Sequence, residues 1–202
     1  MNETRMLPRS DRIAMYITVV IGALGIVLTA TRAITRLIEV APGRDIPVLV
    51  PFVDETAALP IGPDGAAVEV AVGQAVVTVP QPAPATLFAL WAEPIVFALA
   101  IIAGIVVGAL FCLRLARGRA FERGTARLVF IGASILAAGW FVGAMLTNMT
   151  VNGALSAVSD YTYDGITFSV DVVPVFGLLA LGAIGAAFQI GERLQRDTEG
   201  LV

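Results

Sequence analysis

The chain has 202 residues, 57% of them hydrophobic and 14% charged, and its mean hydropathy of +0.87 excludes an ordinary soluble domain. All 13 basic residues are arginines and histidine is absent, which removes the usual participant in acid–base catalysis and imidazole metal ligation. The single cysteine, Cys112, excludes an internal disulfide and a multi-thiolate metal site. The net charge is −3, and no motif predicts a cofactor.

Four long apolar stretches dominate the sequence. Each holds about 19–20 residues, which is enough to cross a hydrocarbon core of about 30 Å at about 1.5 Å of helix rise per residue. The sequence therefore predicts an all-α membrane protein, a four-transmembrane-helix bundle, with a small extracytoplasmic β-sheet from the two outer loops. The stretches are Ile13–Thr31, Pro94–Leu113, Leu128–Leu146 and Val172–Ile190.

The predicted segments follow one another in a simple order. They are a cytoplasmic leader (1–12), the first span with an extracytoplasmic extension (13–38), an outer loop with a β-hairpin (39–86), the second span (87–113), an arginine-rich cytoplasmic loop (114–127), the third span (128–147), an outer loop with a strand (148–171), the fourth span (172–190) and a cytoplasmic tail (191–202).

The first outer loop carries short β-type patterns. We expect the Pro-Gly step at Pro42 to end the first helix. Ile46–Val53 is β-branched and contains two prolines, which favours an edge strand. Val68, Val70 and Val72 alternate with Glu69 and Ala71. With Ala75–Val79 as a second strand, this segment is predicted to form a hairpin that turns at the Gly-Gln step of Gly73.

The second outer loop shows apolar residues at period two, in Ile166, Phe168 and Val170, after Tyr161 and Tyr163. This spacing predicts another strand. Because an isolated hairpin is marginally stable in water, we expect this strand to join the sheet of the first loop.

The distribution of charge predicts the orientation. The leader, the loop between the second and third spans and the tail carry ten arginines against six acidic residues. The outer parts carry three arginines against ten acidic residues. Because arginines near span ends mark the cytoplasmic side, both termini are predicted to be cytoplasmic.

Some residues in or beside the spans are candidates for specific roles. Glu93 is interpreted as a carboxylate at the start of the second helix, where it complements the helix dipole; proton or cation handling is the alternative. Six glycines are predicted to let helix backbones approach closely within the chain, with homo-oligomerisation as the alternative. They are Gly104, Gly108, Gly139, Gly143, Gly182 and Gly185.

Two cytoplasmic sequences are candidate contacts for a partner protein or for lipid headgroups. The loop from Arg114 to Leu128 brings arginines close to the inner leaflet, where each gains about 1 kcal/mol from anionic lipid. The tail Gly191–Val202 continues the fourth span. The candidate contact residues are Arg117, Arg119, Arg123, Arg127, Leu194, Arg196 and Leu201.

These same two sequences carry a resemblance. The Gly-Arg-Ala-Phe sequence at Gly118, followed by Arg-Leu at the start of the third span, and the ending Phe188–Val202 resemble the bacterial four-span family catalogued as domain of unknown function 2975. Members often end in a tail with glycine, leucine, an acid and a hydrophobic finish. Here those positions are Gly191, Leu194, Asp197 and Leu201. Many members finish on an Asp-Leu-Thr type sequence, whereas this chain finishes on Glu-Gly-Leu-Val.

The resemblance implies a multi-pass protein of the bacterial inner membrane with no enzyme activity. Family members are often encoded beside a small helix-turn-helix regulator, which suggests a cytoplasmic partner of that kind and no direct contact with nucleic acid. The leading hypothesis is thus a non-enzymatic membrane regulator or sensor. The alternatives are a small transporter or an accessory subunit of one, and a membrane enzyme or Ca²⁺ site at the acids of the second outer loop, Asp160, Asp164 and Asp171.

Overall fold

Four long helices account for most of the chain. The computed structural model describes residues 9–118, 124–163, 168 and 171–199. The helices are α1 (Arg9–Val40), α2 (Pro84–Ala116), α3 (Thr125–Val158) and α4 (Val173–Glu199), and the strands are β1 (Ile46–Leu59) and β2 (Val68–Val79). All four helices are long and apolar enough to cross a membrane. The prediction of a mostly helical chain with four membrane-length helices and a small sheet is confirmed.

Two helices are much longer than the spans predicted for them. At about 1.5 Å per residue, the 33 residues of α2 and the 34 residues of α3 each extend about 50 Å. Residues 148–158, which the sequence pattern assigns to the second outer loop, continue α3 instead. The extension is helical because Val151, Ala154 and Leu155 recur at helical spacing and are all buried.

The hairpin of the first connection differs from the predicted one. The prediction of a turn at Gly73 is wrong, because β2 runs without interruption from Val68 to Val79 and pairs with β1 in antiparallel register, from Ile46 opposite Val79 to Leu59 opposite Val68. The chain reverses between the strands, in a proline- and glycine-rich stretch around a short 3₁₀ turn at Pro63–Gly65.

Gly73 has a different role in this sheet. The register passes from Pro51 opposite Gln74 to Glu55 opposite Val72, so three residues of β1 lie opposite the single residue Gly73. This is a β-bulge, and Asp54 within it adopts a left-handed backbone conformation with φ of 57°. The irregularity explains why the sequence pattern of the strand is broken at this point.

The described sheet contains two strands, both from the first connection, so the expectation of a sheet from both outer loops is not met by the described residues. Tyr161 belongs to a turn after α3, and neither Tyr163 nor Phe168 lies in a strand. Ile166 and Val170 lie outside the described residues, and the predicted third strand falls mainly there.

The chain forms two compact units. The hairpin unit comprises Thr35–Pro94 and Ala144–Ser169. The helical unit comprises Met1–Ile34, Ile95–Gly143 and Val170–Val202. Helices α1, α2 and α3 each contribute residues to both units.

The hairpin unit has its own apolar core. One face of β1 supplies Ile46, Val48 and Val50, and these residues cluster with Leu90 of α2 and Leu155 of α3. Burial of each such side chain contributes about 1.5–3 kcal/mol. The far half of the hairpin is different, because most residues of β1 beyond Val53 and of β2 before Gly73 are exposed.

In the helical unit, close helix contacts involve small residues. A Cβ atom added to Gly22 or Gly25 of α1 would lie 3.1 or 3.3 Å from the side chain of Ile105 in α2. Threonine hydroxyls in α1 donate to the backbone carbonyl four residues earlier, as Thr29 does to Gly25 at 2.8 Å. Such bonds satisfy polar groups within an apolar helix.

Candidate functional site

The arginine-rich end of the helical unit lies where α2 ends and α3 begins. Arg117 and Arg127 are exposed there, while Arg119 and Arg123 lie outside the described residues. Arg114 donates from Nη1 to the hydroxyl of Thr125 over a long distance of 3.5 Å. Thr125 is fully buried. This hydrogen bond connects the last turn of α2 to the first residue of α3.

Glu192 of α4 caps the start of α3. The backbone N–H of Ala126 donates to Oε1 of Glu192 at 2.8 Å. The first N–H groups of a helix have no partner within the helix, and the helix dipole favours negative charge beside them. The Glu192 carboxylate therefore fastens the final part of α4 to the first turn of α3. Sequence reasoning missed this residue, because an acid just after a span carries no signal of a tertiary cap.

The predicted tail contacts fall partly within the described residues. α4 continues through Glu199, so the tail begins as a helical extension of the fourth span. Leu194, two residues after the cap, is 63% exposed. Arg196 belongs to the same helix, and Leu201 lies outside the described residues. The structure thus brings Leu194 to the surface on an element that Glu192 holds in place.

Four of the six predicted packing glycines lie against another helix. A Cβ atom added to Gly104 would come within 2.7 Å of Leu136, and one added to Gly185 would lie 3.1 Å from Phe130. Gly139 and Gly143 of α3 are approached still more closely, by Ala100 and Phe97 of α2. In contrast, a Cβ atom at Gly108 or Gly182 would meet nothing within 4 Å.

Glu93 is positioned differently from the sequence interpretation. α2 begins at Pro84, so Glu93 lies in its third turn. Its negative charge is therefore not beside the positive end of the helix dipole, where the sequence interpretation places it. Its two carboxylate oxygens accept hydrogen bonds from two residues of α3 in the hairpin unit. Thr147 donates to Oε1 at 2.7 Å and Thr150 donates to Oε2 at 3.0 Å. The carboxylate is therefore a cross-link between α2 and α3.

Other polar residues surround the same helix contact. Thr150 is 4% exposed and Asn148 is 9% exposed. The amide of Asn148 donates to the carbonyl of Ala144 within its own helix. Thr86 of α2 packs directly against Gly153 of α3, where a larger residue would not fit. These contacts make the α2–α3 seam of the hairpin unit polar and tightly packed.

A tyrosine from the connection after α3 approaches the hairpin. The hydroxyl of Tyr163 lies 3.4 Å from Oε1 of Glu55, a long hydrogen bond. Partial burial, the negative charge of Glu55 and this hydrogen bond together raise the pKa of Tyr163 above its ordinary value of 10.0. The second connection thus contacts β1 through a side chain.

The acids of the second connection have local structural roles. Asp171 accepts a hydrogen bond from the backbone N–H of Val173 at 2.9 Å and so caps the start of α4. Asp160 adopts a left-handed turn conformation, and Asp164 lies outside the described residues. Among the residues that the structure describes, no group of three or more acidic or cysteine side chains is arranged to hold a metal ion.

Comparison with known proteins returns no relative. No protein-family model, no curated protein and no solved structure matches the chain.

Proposed function

We propose that this protein is a non-enzymatic regulator or sensor of the bacterial inner membrane, with both termini in the cytoplasm. The supporting observation is the anchored end of α4. Glu192 fixes this end to α3 at 2.8 Å, and Leu194 follows it with 63% of its surface exposed. An exposed leucine close to the exposed Arg193, on a held helix, suits a partner with an apolar groove and acidic rim.

The hairpin unit supports a sensing role outside the cytoplasm. It has an apolar core of its own, and β1 and β2 project an exposed half in which the acids Asp54, Glu55 and Glu69 lie. The same helices, α2 and α3, supply residues to this unit and carry the arginine-rich end. In the proposal, a ligand or envelope state acts on the hairpin unit, and the cytoplasmic partner is a helix-turn-helix protein.

The test is affinity purification of the tagged protein from its own host in mild detergent, with quantitative mass spectrometry. A helix-turn-helix protein enriched over an unrelated four-span protein is the expected result. Leu194→Glu should abolish that enrichment because it places a charge in the apolar contact. This substitution leaves Glu192 in place, so α4 keeps its attachment.

The matched control is Leu59→Glu, which makes the same chemical change at a leucine of β1 that is 44% exposed. It should leave the enrichment unchanged, because β1 belongs to the extracytoplasmic side in this proposal. Equal recovery of the partner with Leu194→Glu and the unsubstituted protein would contradict the role of the tail.

A small transporter, or an accessory subunit of one, is the second candidate, and the Glu93 cluster favours it. A carboxylate between two helices that accepts hydrogen bonds from two threonine hydroxyls is the kind of group that handles cations or protons in membranes. This candidate predicts that Glu93→Gln stops substrate or proton flux in vesicles that contain the purified protein.

A further inference from the structure

Two apolar cavities follow one another along α2, α3 and α4 of the helical unit. The larger has a volume of about 480 Å³, and Phe97, Trp140 and Pro174 are among its lining residues. The smaller has a volume of about 140 Å³ and extends to Phe111. Leu136 and Leu181 line both cavities, so the two are neighbours, and together they are here called the three-helix groove.

Glycine leaves part of this space empty. A Cβ atom at Gly177 of α4, which lines the larger cavity, would meet nothing within 4 Å. The same holds for Gly108 of α2, which lines the smaller one. Away from the two cavities the helices lie closer together, as at Gly22, where a Cβ atom would lie 3.1 Å from the side chain of Ile105. The groove is therefore a local gap in a packed bundle.

The groove is at least as long as half the thickness of a hydrocarbon core. Along α2 it reaches from Phe97 to Phe111, and along α4 from Pro174 to Ile184. At about 1.5 Å per residue these distances are about 21 and 15 Å, against about 15 Å for half of a hydrocarbon core. Beyond the narrow end, the Phe111 ring meets the ring of Phe188 edge-on, with centroids 5.0 Å apart.

The walls and the opening indicate what fills the groove. The lining side chains are apolar, and a cavity of that kind does not hold ordered water, which needs polar partners. Ile101 is 42% exposed and Gly177 is exposed, so the wide part is reachable from the side of the helical unit. In the four-span arrangement proposed above, that apolar side is placed in the hydrocarbon layer, and Pro174, in the first turn of α4, is placed beside the headgroups.

We propose that the three-helix groove binds one acyl chain of a membrane lipid. The chain lies along α2, α3 and α4, with its carboxyl end at Pro174 and its methyl end toward Phe111. The inference is independent of the regulatory role, since it needs neither a partner protein nor an extracytoplasmic signal.

Two glycine substitutions in α4 form a matched pair. Gly177→Leu fills the wide part of the groove, whereas Gly182→Leu adds the same side chain at a position that lines neither cavity and has nothing within 4 Å. Each protein is purified through repeated detergent exchange, and retained lipid is measured by native mass spectrometry. We expect about one lipid per chain in the unsubstituted protein and in Gly182→Leu.

Gly177→Leu should retain roughly tenfold less lipid, because the added side chain displaces about two methylene groups, each worth about 0.8 kcal/mol, and about 1.4 kcal/mol corresponds to a factor of ten. Equal retention by the two variants would overturn the proposal. So would purification of the unsubstituted protein with no lipid, or with a bound mass that lacks an acyl chain.

A second measurement does not depend on the folding of Gly177→Leu. The chain has two tryptophans, so Trp91→Phe leaves Trp140 in the groove wall as the single emitter. The protein is placed in bilayers that contain increasing fractions of lipid brominated on its acyl chains. A single chain held in the groove gives quenching in direct proportion to the brominated fraction, because either lipid fills one site according to its share of the bilayer. Quenching that rises steeply at low fractions and then levels off means that several mobile lipids contact Trp140, and overturns the inference.

Discussion

Glu93 cross-links two helices through a carboxylate that accepts one hydroxyl on each oxygen. Thr147 and Thr150 are three residues apart on α3 and so face the same way, which lets both reach the same side chain of α2. Hydrogen bonds to a charged acceptor are stronger than neutral ones. The sequence revealed an acid beside a span, but its partners lie more than 50 residues away in the chain.

Replacement of Glu93 by alanine is expected to destabilise the protein by about 1–3 kcal/mol, because the hydroxyls of Thr147 and Thr150 lose their acceptor in a poorly hydrated contact. The measurement is thermal unfolding in detergent, followed by loss of helical circular dichroism. Glu93→Gln should fall between alanine and the native residue, since the amide oxygen still accepts one of the two bonds.

The control for Glu93 is another glutamate of the hairpin unit. Glu39 pairs with Arg36 at 3.0 Å, but its side chain is 47% exposed. Exposed ion pairs contribute about 0–1 kcal/mol, so Glu39→Ala should change the unfolding temperature little. A similar fall in unfolding temperature for Glu39→Ala and Glu93→Ala would show that the hydrogen bonds from Thr147 and Thr150 to Glu93 contribute no more to stability than an exposed ion pair.

At the scale of elements, Glu192 of α4 caps the first turn of α3 through one hydrogen bond. Glu192→Ala should weaken the first turn of α3 by about 0.5–2 kcal/mol, the range for a lost helix cap. Hydrogen–deuterium exchange measures this directly, through faster exchange of the peptide that contains Ala126. Arg193→Ala is the control, because Arg193 is the exposed neighbour of Glu192. Unchanged exchange in Glu192→Ala would contradict the cap.

The hairpin register can be tested by cysteine cross-linking in a Cys112→Ala background. Leu49 and Val76 lie opposite each other and are 55% and 65% exposed, so cysteines at both positions should form a disulfide on mild oxidation. Cysteines at Val72 and Ala75 are the contrasting pair. In a continuous strand they are about 10 Å apart at about 3.3 Å per residue, beyond disulfide reach. Efficient linkage of that second pair would restore a turn at Gly73.

At the scale of the whole molecule, the apolar runs were predictable and the contacts between them were not. A run of about 20 apolar residues predicts a membrane-spanning helix by its length alone, which is why all four helices were expected. The extension of α3 was missed because the long apolar run ends at Leu146, and polar residues follow it. In the structure, the amides of Asn148 and Asn152 donate to carbonyls four residues earlier within the helix. The turn at Gly73 was misassigned because a bulge and a turn both call for glycine.

Orientation is the remaining property that the arginines predict. Single cysteines at Val53 in the exposed half of β1 and at Arg117 at the arginine-rich end place one thiol on each connection, again in a Cys112→Ala chain. Val53 is 71% exposed and Arg117 is exposed, so both thiols are accessible in the protein itself.

A membrane-impermeant maleimide should label the Val53 position in intact spheroplasts and the Arg117 position only after lysis. This follows because short arginine-rich loops remain in the cytoplasm. The opposite labelling pattern would invert the topology and place the Leu194 surface outside the cell, where no helix-turn-helix protein could reach it.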